Sequence, residues 1–209
     1  MVGKTAGMDD SSQSAPRPDF LTKPVLEGEL VTLRGIGADD LPALRPMWED
    51  AESSRLTGSR DRTVDEERLH AWYATRVGQD DRLDLAILDR ASGAVVGEAV
   101  LNGWSPADES CSFRISLVPG TYGRGLGTEA IRLICGYGFE KLGLHRISLE
   151  VYAFNPRARR AYEKAGFVAE GVLRDALRWD GAWVDATVMS ILAGEWERHR
   201  GRPEAAERG

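Results

Sequence analysis

The sequence predicts an α/β protein, one mixed sheet with helices on both faces, in the order β-α-α-β-β-β-α-β-α-β-β. Three observations carry that expectation. Short β-branched runs alternate apolar with polar residues, starting with Glu29–Ile36, while other stretches repeat their apolar positions at helical spacing. Paired runs meet at Asp89–Gly93 and at Asp180-Gly181, which are hairpin signals. The stretch Ser116–Arg132 leads a strand through Gly123, Gly125 and Gly127 into an apolar-periodic helix.

Taken in order, residues 1–19 are rich in Ser, Asp, Gly and Pro and read as a disordered tail. Glu29–Ile36 is the first strand. Asp39-Asp40 supply an N-cap and first-turn charge for a helix to about Asp50, with Leu41, Leu44, Met47 and Trp48 at helical spacing. Glu52–Thr63 is polar and reads as a loop, and Asp65–Val77 as a second helix with Leu69, Trp72, Tyr73 and Arg76 along one stripe. Leu83–Leu88 and Ala94–Trp104 form a hairpin, and Ser110–Val118 is the strand that enters the glycine loop. A helix follows from Thr128 to about Leu142, closed by Gly143. His145–Tyr152 is a strand, and Pro156–Ala165 a helix with Pro at its first position. Val168–Trp179 and Trp183–Leu192 make the last hairpin, so a single domain is expected over 20–198, with a loose charged tail at 199–209.

At 209 residues, 42% hydrophobic and 29% charged, the chain is long enough for one well-packed core. No apolar run approaches the ~20 residues that span a bilayer. The N-terminus has no signal-peptide core, so a cytoplasmic location is expected. A net charge of −6 disfavours nucleic-acid binding and suits an amine-bearing partner. Cys111, Cys135, His70, His145 and His199 show no metal-ligand spacing, and Cys135 falls at a core spacing from Ile131.

Glycines before a helix offer free N–H groups and the positive end of the helix dipole to a phosphate. A P-loop would need Gly-Lys-Ser/Thr, but Gly127 is followed by Thr128-Glu129. A dinucleotide fingerprint needs G-x-G-x-x-G, and the spacing here is G-x-G-x-G. Tyr122-Gly123-Arg124-Gly125-Leu126-Gly127 resembles instead the pyrophosphate loop of the Gcn5-related N-acetyltransferases (GNAT), with Tyr122 where Arg or Gln is usual. An aromatic there is typical of the RimJ/RimL branch. Asn155-Pro156-Arg157-Ala158 through Tyr162-Glu163-Lys164-Ala165-Gly166-Phe167 resembles the family's Asn-x-x-Ala/Ser-x-x-x-Tyr-Glu-Lys-x-Gly-Phe segment. Glu170-Gly171…Arg174 and Asp180-Gly181…Asp185…Ser190 resemble the ending of the RimJ/RimL branch.

The resemblance implies the acyl-CoA N-acyltransferase fold, with acetyl-CoA as co-substrate and an amine, a protein N-terminus or a small molecule, as acceptor. It implies two central strands splayed apart, one ending at Val118 and one near Tyr152. Main-chain contacts to the pantetheine arm fall to Leu117 and Val118, and pyrophosphate contacts to the N–H groups of Gly123, Arg124, Gly125, Leu126, Gly127 and Thr128, with Tyr122 counted among the cofactor-binding residues of the loop. A side-chain contact falls to Asn155, with Ala158 small enough for the cofactor to lie close. Members of the branch are often dimers, and the last strands offer an edge.

Acetyl transfer needs a proton for the departing thiolate and a base for the amine. Tyr162, one helical turn past Ala158, is the candidate acid. Glu98 is the candidate base and Glu150 a second; each is equally readable as an exposed charge or a salt-bridge partner. The strand before the loop often reads Ala-Glu-Ile-Gly-Tyr in the branch and reads Cys111-Ser112-Phe113-Arg114-Ile115 here, placing Ser112 at the glutamate position. Arg114, which shares a strand face with Ser112 and Ser116, suits either a substrate carboxylate or a neighbouring Asp or Glu. Arg157, Arg159 and Arg160 suit either a cofactor phosphate or a solvated helix face. Trp48, Trp72, Trp104 and Tyr152 are candidates for the acceptor pocket or for the core. A catalytically silent acyl-CoA-binding module on the same fold is the competing reading.

Overall fold

The computed structural model describes residues 18–59 and 65–200; the expected tail over 1–17, the loop residues 60–63 and the tail over 201–209 lie outside the described residues. The strands are β1 (Leu26–Glu27), β2 (Val31–Gly35), β3 (Leu83–Asp89), β4 (Val95–Ser105), β5 (Ser110–Leu117), β6 (Arg146–Tyr152), β7 (Val168–Trp179) and β8 (Ala182–Leu192). They form one sheet in the order β1-β2-β3-β4-β5-β6-β8-β7. Every pairing is antiparallel except β5 with β6, which are joined by the helix α5 (Leu126–Glu140). Parallel neighbours need such a crossover.

Alternation along the strands divides the side chains between two layers. Leu83, Leu85 and Ile87 of β3, Cys111 and Phe113 of β5 and Ile147, Leu149 and Val151 of β6 join the main core with α5 and α6 (Pro156–Lys164). Ala86 and Leu88 face a smaller core made with Leu44, Met47 and Tyr73. That second layer consists of α1 (Leu41–Leu44), α2 (Pro46–Glu49), α3 (Ala51–Thr57) and α4 (Glu66–Ala74). Cys111 and Cys135 are both free and buried. Among the described residues no helix is long and apolar enough to cross a membrane.

Five local expectations are corrected. The helix expected to run to Asp50 is divided into a 3-10 turn at Ala38–Asp40, α1 and α2, because Pro46 has no N–H to continue the helical ladder. The expected loop Glu52–Thr63 contains α3, whose N-cap Asp50 accepts the Ser53 N–H at 2.7 Å and whose end is turned by Gly58 at φ 70°. Both caps are visible in the sequence, but the helix between them has no apolar stripe to announce it. The two-residue β1 was not anticipated, and neither was α7 (Ala193–Arg200), which runs past residue 198 and pairs Arg200 with Glu140 at 2.8 Å. The helix after the glycines starts at Leu126, so Gly127 belongs to its first turn.

Candidate active site

The expected splay is present. β5 and β6 pair only at Ser110 with Arg146, Cys111 with Ile147 and Ser112 with Ser148. Beyond those rungs each strand continues, β5 to Leu117 and β6 to Tyr152, and a wedge opens between them. Leu117 stands opposite Gly97 in a non-hydrogen-bonded pair, since the flanking Val118 N–H donates to the Val96 carbonyl at 2.8 Å. The main-chain groups of Leu117 therefore point into the wedge. Those of Val118 do not: its carbonyl accepts from the Thr121 N–H at 3.2 Å and the Thr121 hydroxyl at 2.7 Å.

The glycine loop sits at the wide end of the wedge. Gly123 and Gly125 have φ of 80° and 84°, a region that costs a side chain energy, so glycine is needed at both for its backbone, and at Gly125 a side chain would also crowd Leu30. The first bond of α5 runs from the Glu129 N–H to the Gly125 carbonyl at 3.1 Å, which leaves the N–H groups of Leu126, Gly127 and Thr128 ahead of the helical ladder. The Leu126 side chain is buried in the core. The Arg124 guanidinium pairs with Asp89 at 2.8 Å, so at this position only the main chain faces the expected anion. Tyr122 ties three elements together: its hydroxyl lies 3.3 Å from the Ser53 hydroxyl of α3, donates to the Leu117 carbonyl at 3.3 Å, and its ring lies 3.9 Å beneath the Arg157 guanidinium of α6.

On the main-core side of the wedge is α6. The Asn155 side-chain oxygen caps it by accepting the Ala158 N–H at 3.1 Å, and Ala158 packs against the core. Tyr162 is 7% exposed and meets Phe113 edge-on, with ring centroids 6.2 Å apart. Among the described residues its hydroxyl makes no hydrogen bond, and burial pushes its phenol above the ordinary value, keeping it protonated. In the basic cluster, Arg159 is paired with Glu163 at 2.9 Å.

The opposite face carries a polar row. Glu98 of β4 is 8% exposed and accepts a hydrogen bond from the Tyr73 hydroxyl of α4 at 2.6 Å. Among the described residues it is thus neither an exposed charge nor a salt-bridge partner. Burial pushes its carboxyl upward, while the Tyr73 bond and the nearby Arg114 charge pull it down. Ser112, Arg114 and Ser116 of β5 lie on this face, as do Ser148, Glu150 and Tyr152 of β6. Ser112 and Arg114 are exposed, and Ser112 stands in register between Asn102 and Ser148. Trp48 and Trp72 flank Tyr73, with centroids 5.7 and 4.8 Å away, and Tyr152 packs on the Gly58 turn. Trp104 instead packs on Phe20 in the main core, on the other side of the sheet, and so leaves the list of acceptor-pocket residues.

The third motif has a structural explanation. Glu170 and Ser190 meet at 2.7 Å, and Arg146 bonds both, fastening β6, β7 and β8 together. Arg146 and Ser190 hold the Glu170 carboxyl down at about 2. Reading the sequence missed Tyr73 as the partner of Glu98, and Ser53, which carried no signal at all in its polar segment. Among the described residues no group of His, Cys, Asp and Glu has the arrangement of a metal site.

This combination of a mixed sheet, one parallel pair splayed into a wedge, and a glycine turn with free N–H groups at its mouth fits an acyl-CoA-dependent transferase. Residues 31–168 match the acetyltransferase (GNAT) domain family, and the chain belongs to that family. It is 32% identical over 143 residues to the probable N-acetyltransferase YjcK of Bacillus subtilis, covering 68% of this chain and 72% of that protein. It is 24% identical over 166 residues to the L-methionine sulfoximine/L-methionine sulfone acetyltransferase of Pseudomonas aeruginosa, covering 77% and 93% of the two chains. The crystal structure of the Vibrio cholerae spermidine N-acetyltransferase in complex with CoA and spermine superposes with a TM-score of 0.75 at 25% identity, covering 81% of this chain and 99% of that one. The chain is an N-acetyltransferase that uses acetyl-CoA as co-substrate.

Proposed function

We propose that the enzyme transfers acetyl from acetyl-CoA directly to a primary amine, with Tyr162 as general acid and Glu98, or a water it holds, as general base. The amine nitrogen bonds to the acetyl carbon as the carbon–sulfur bond breaks. The amine proton leaves toward Glu98, and the thiolate takes the proton of Tyr162. The observation that carries this reading is the wedge itself, with a buried protonated phenol on one side and a buried carboxyl on the other, one strand back from the opening. The pantetheine arm takes the place of a strand partner for Leu117, the pyrophosphate meets the N–H groups from Gly123 to Thr128, and Asn155 contributes its side-chain amide.

We assign the chain to the RimJ/RimL-type branch on the strength of Tyr122 and of the Glu170…Ser190 ending, whose two named residues are in contact. The outer strand β7, with Val168 and Val172 exposed, supports a homodimer built along that edge. Acetyl-CoA and a panel of amines, followed by thiol release, test the activity. Turnover with at least one amine is expected; CoA binding without thiol release from any of them would identify a silent binding module instead.

A further inference from the structure

Among the arginines of this chain, Arg34, Arg82, Arg124 and Arg146 each hold a carboxylate at 2.8 Å or less. Arg114 makes no hydrogen bond and no ion pair with any described residue, although Glu98 is near enough to feel its charge. The reason is geometric. Glu98 turns inward to Tyr73, whereas Arg114 is exposed on the open face of β5. Arg114 lies two residues past Ser112, the last residue paired with β6, and therefore at the lip of the wedge. To one side is Glu98 on β4, and to the other is Glu150 on β6, exposed on the same face. Arg114 itself stands opposite Val100, with Glu98 one same-face position further on, opposite Ser116.

Resting on the acetyltransferase reading above, we infer that the acceptor is an amino-acid-type zwitterion whose carboxylate is taken by Arg114 while its amine enters the wedge. A guanidinium offers a planar fork of donors that matches a carboxylate, and it stays charged at any working pH. The carboxylate of an α-amino acid is attached to the same carbon as the amine, so seating it on Arg114 delivers the nitrogen to the adjacent opening with Glu98 close behind. The Ser112 and Ser116 hydroxyls on the same face add neutral donors. A polyamine has no anion for Arg114 and would bring further positive charge beside it. A peptide N-terminus has an amide where the carboxylate is wanted.

The test uses the full chain with acetyl-CoA, following thiol release with free L-α-amino acids, their carboxamides, the corresponding decarboxylated amines, spermidine and a Met-initiated peptide. A free amino acid is expected to exceed its carboxamide in kcat/KM by about tenfold or more, because the amide leaves Arg114 without its ion pair. Arg114→Ala should raise KM for that amino acid about tenfold or more while leaving KM for acetyl-CoA and KM for the decarboxylated amine within about twofold, and Arg114→Lys should restore part of the loss. Spermidine, the peptide or the carboxamide being used as well as the acid would overturn the inference and leave the acetyltransferase reading standing, as would an Arg114→Ala variant with the preference intact. No thiol release with any of these acceptors would overturn both.

Discussion

Tyr73 donates its phenolic hydrogen to Glu98 over 2.6 Å, and both residues are buried. The bond stabilises the charged carboxylate against burial, which favours the neutral acid. With Glu98 as base, kcat/KM rises with pH through an apparent pKa above the usual carboxylate range. Tyr73→Phe removes the stabilising bond, so that limb should move to higher pH, and Glu98→Gln should abolish it and lower kcat by about tenfold or more. Stability moves the other way. A carboxyl whose folded pKa is raised loses stability as pH climbs from its unfolded value through the folded one, a drop that Glu98→Gln should lack. Rate profiles and melting temperatures across pH read both effects; an unmoved limb in Tyr73→Phe counts against Glu98 as the base.

Tyr162→Phe separates chemistry from packing. The ring contacts with Phe113 and Phe167 survive the change, and the hydroxyl has no partner in the described protein to lose. The melting temperature should hold while kcat falls about tenfold or more at unchanged KM for acetyl-CoA. Retained kcat removes Tyr162 from the mechanism.

Gly125→Ala places a side chain at φ 84°, at a cost of about 1–2 kcal/mol. If the backbone relaxes to escape it, the N–H groups of Leu126 to Thr128 turn away from the pyrophosphate. A lower melting temperature together with a raised KM for acetyl-CoA is expected, and a lower melting temperature alone would mean that the turn is only structural.

Glu170 gives an acid-side signature. Its carboxyl is held at about 2, below the unfolded value, so the stability it contributes is present above the ordinary carboxylate pKa and is lost as pH falls toward about 2. Glu170→Gln should flatten that part of the profile of melting temperature against pH.

Much of the architecture is legible in the sequence because it is encoded locally. The cap Asn155, the first-turn Pro156 and the small Ala158 sit next to the residues they act on, and the Asp180-Gly181 turn lies between its two strands. The segments that were misread lack such marks or contradict them: α3 has caps without an apolar stripe, Pro46 interrupts a stripe that otherwise continues, and β1 is too short to alternate. Pairings across layers are harder still. Tyr73 meets Glu98 through the packing of a helix on a sheet, and Ser53 meets Tyr122 through the placement of α3 over the loop. Periodicity assigns each residue to a face but does not say which residue lies opposite.

The short joint between β5 and β6 has a consequence for exchange with solvent. Ile115 and Leu117 stand in the middle of an eight-stranded sheet, yet their N–H groups point away from β4 toward a strand that has already diverged. Their hydrogens should exchange with deuterium far faster than those of the flanking strands, like positions at a sheet's rim. A pantetheine arm laid along β5 would slow that exchange and splint the two halves of the sheet, making the co-substrate a structural member of the fold for as long as it stays.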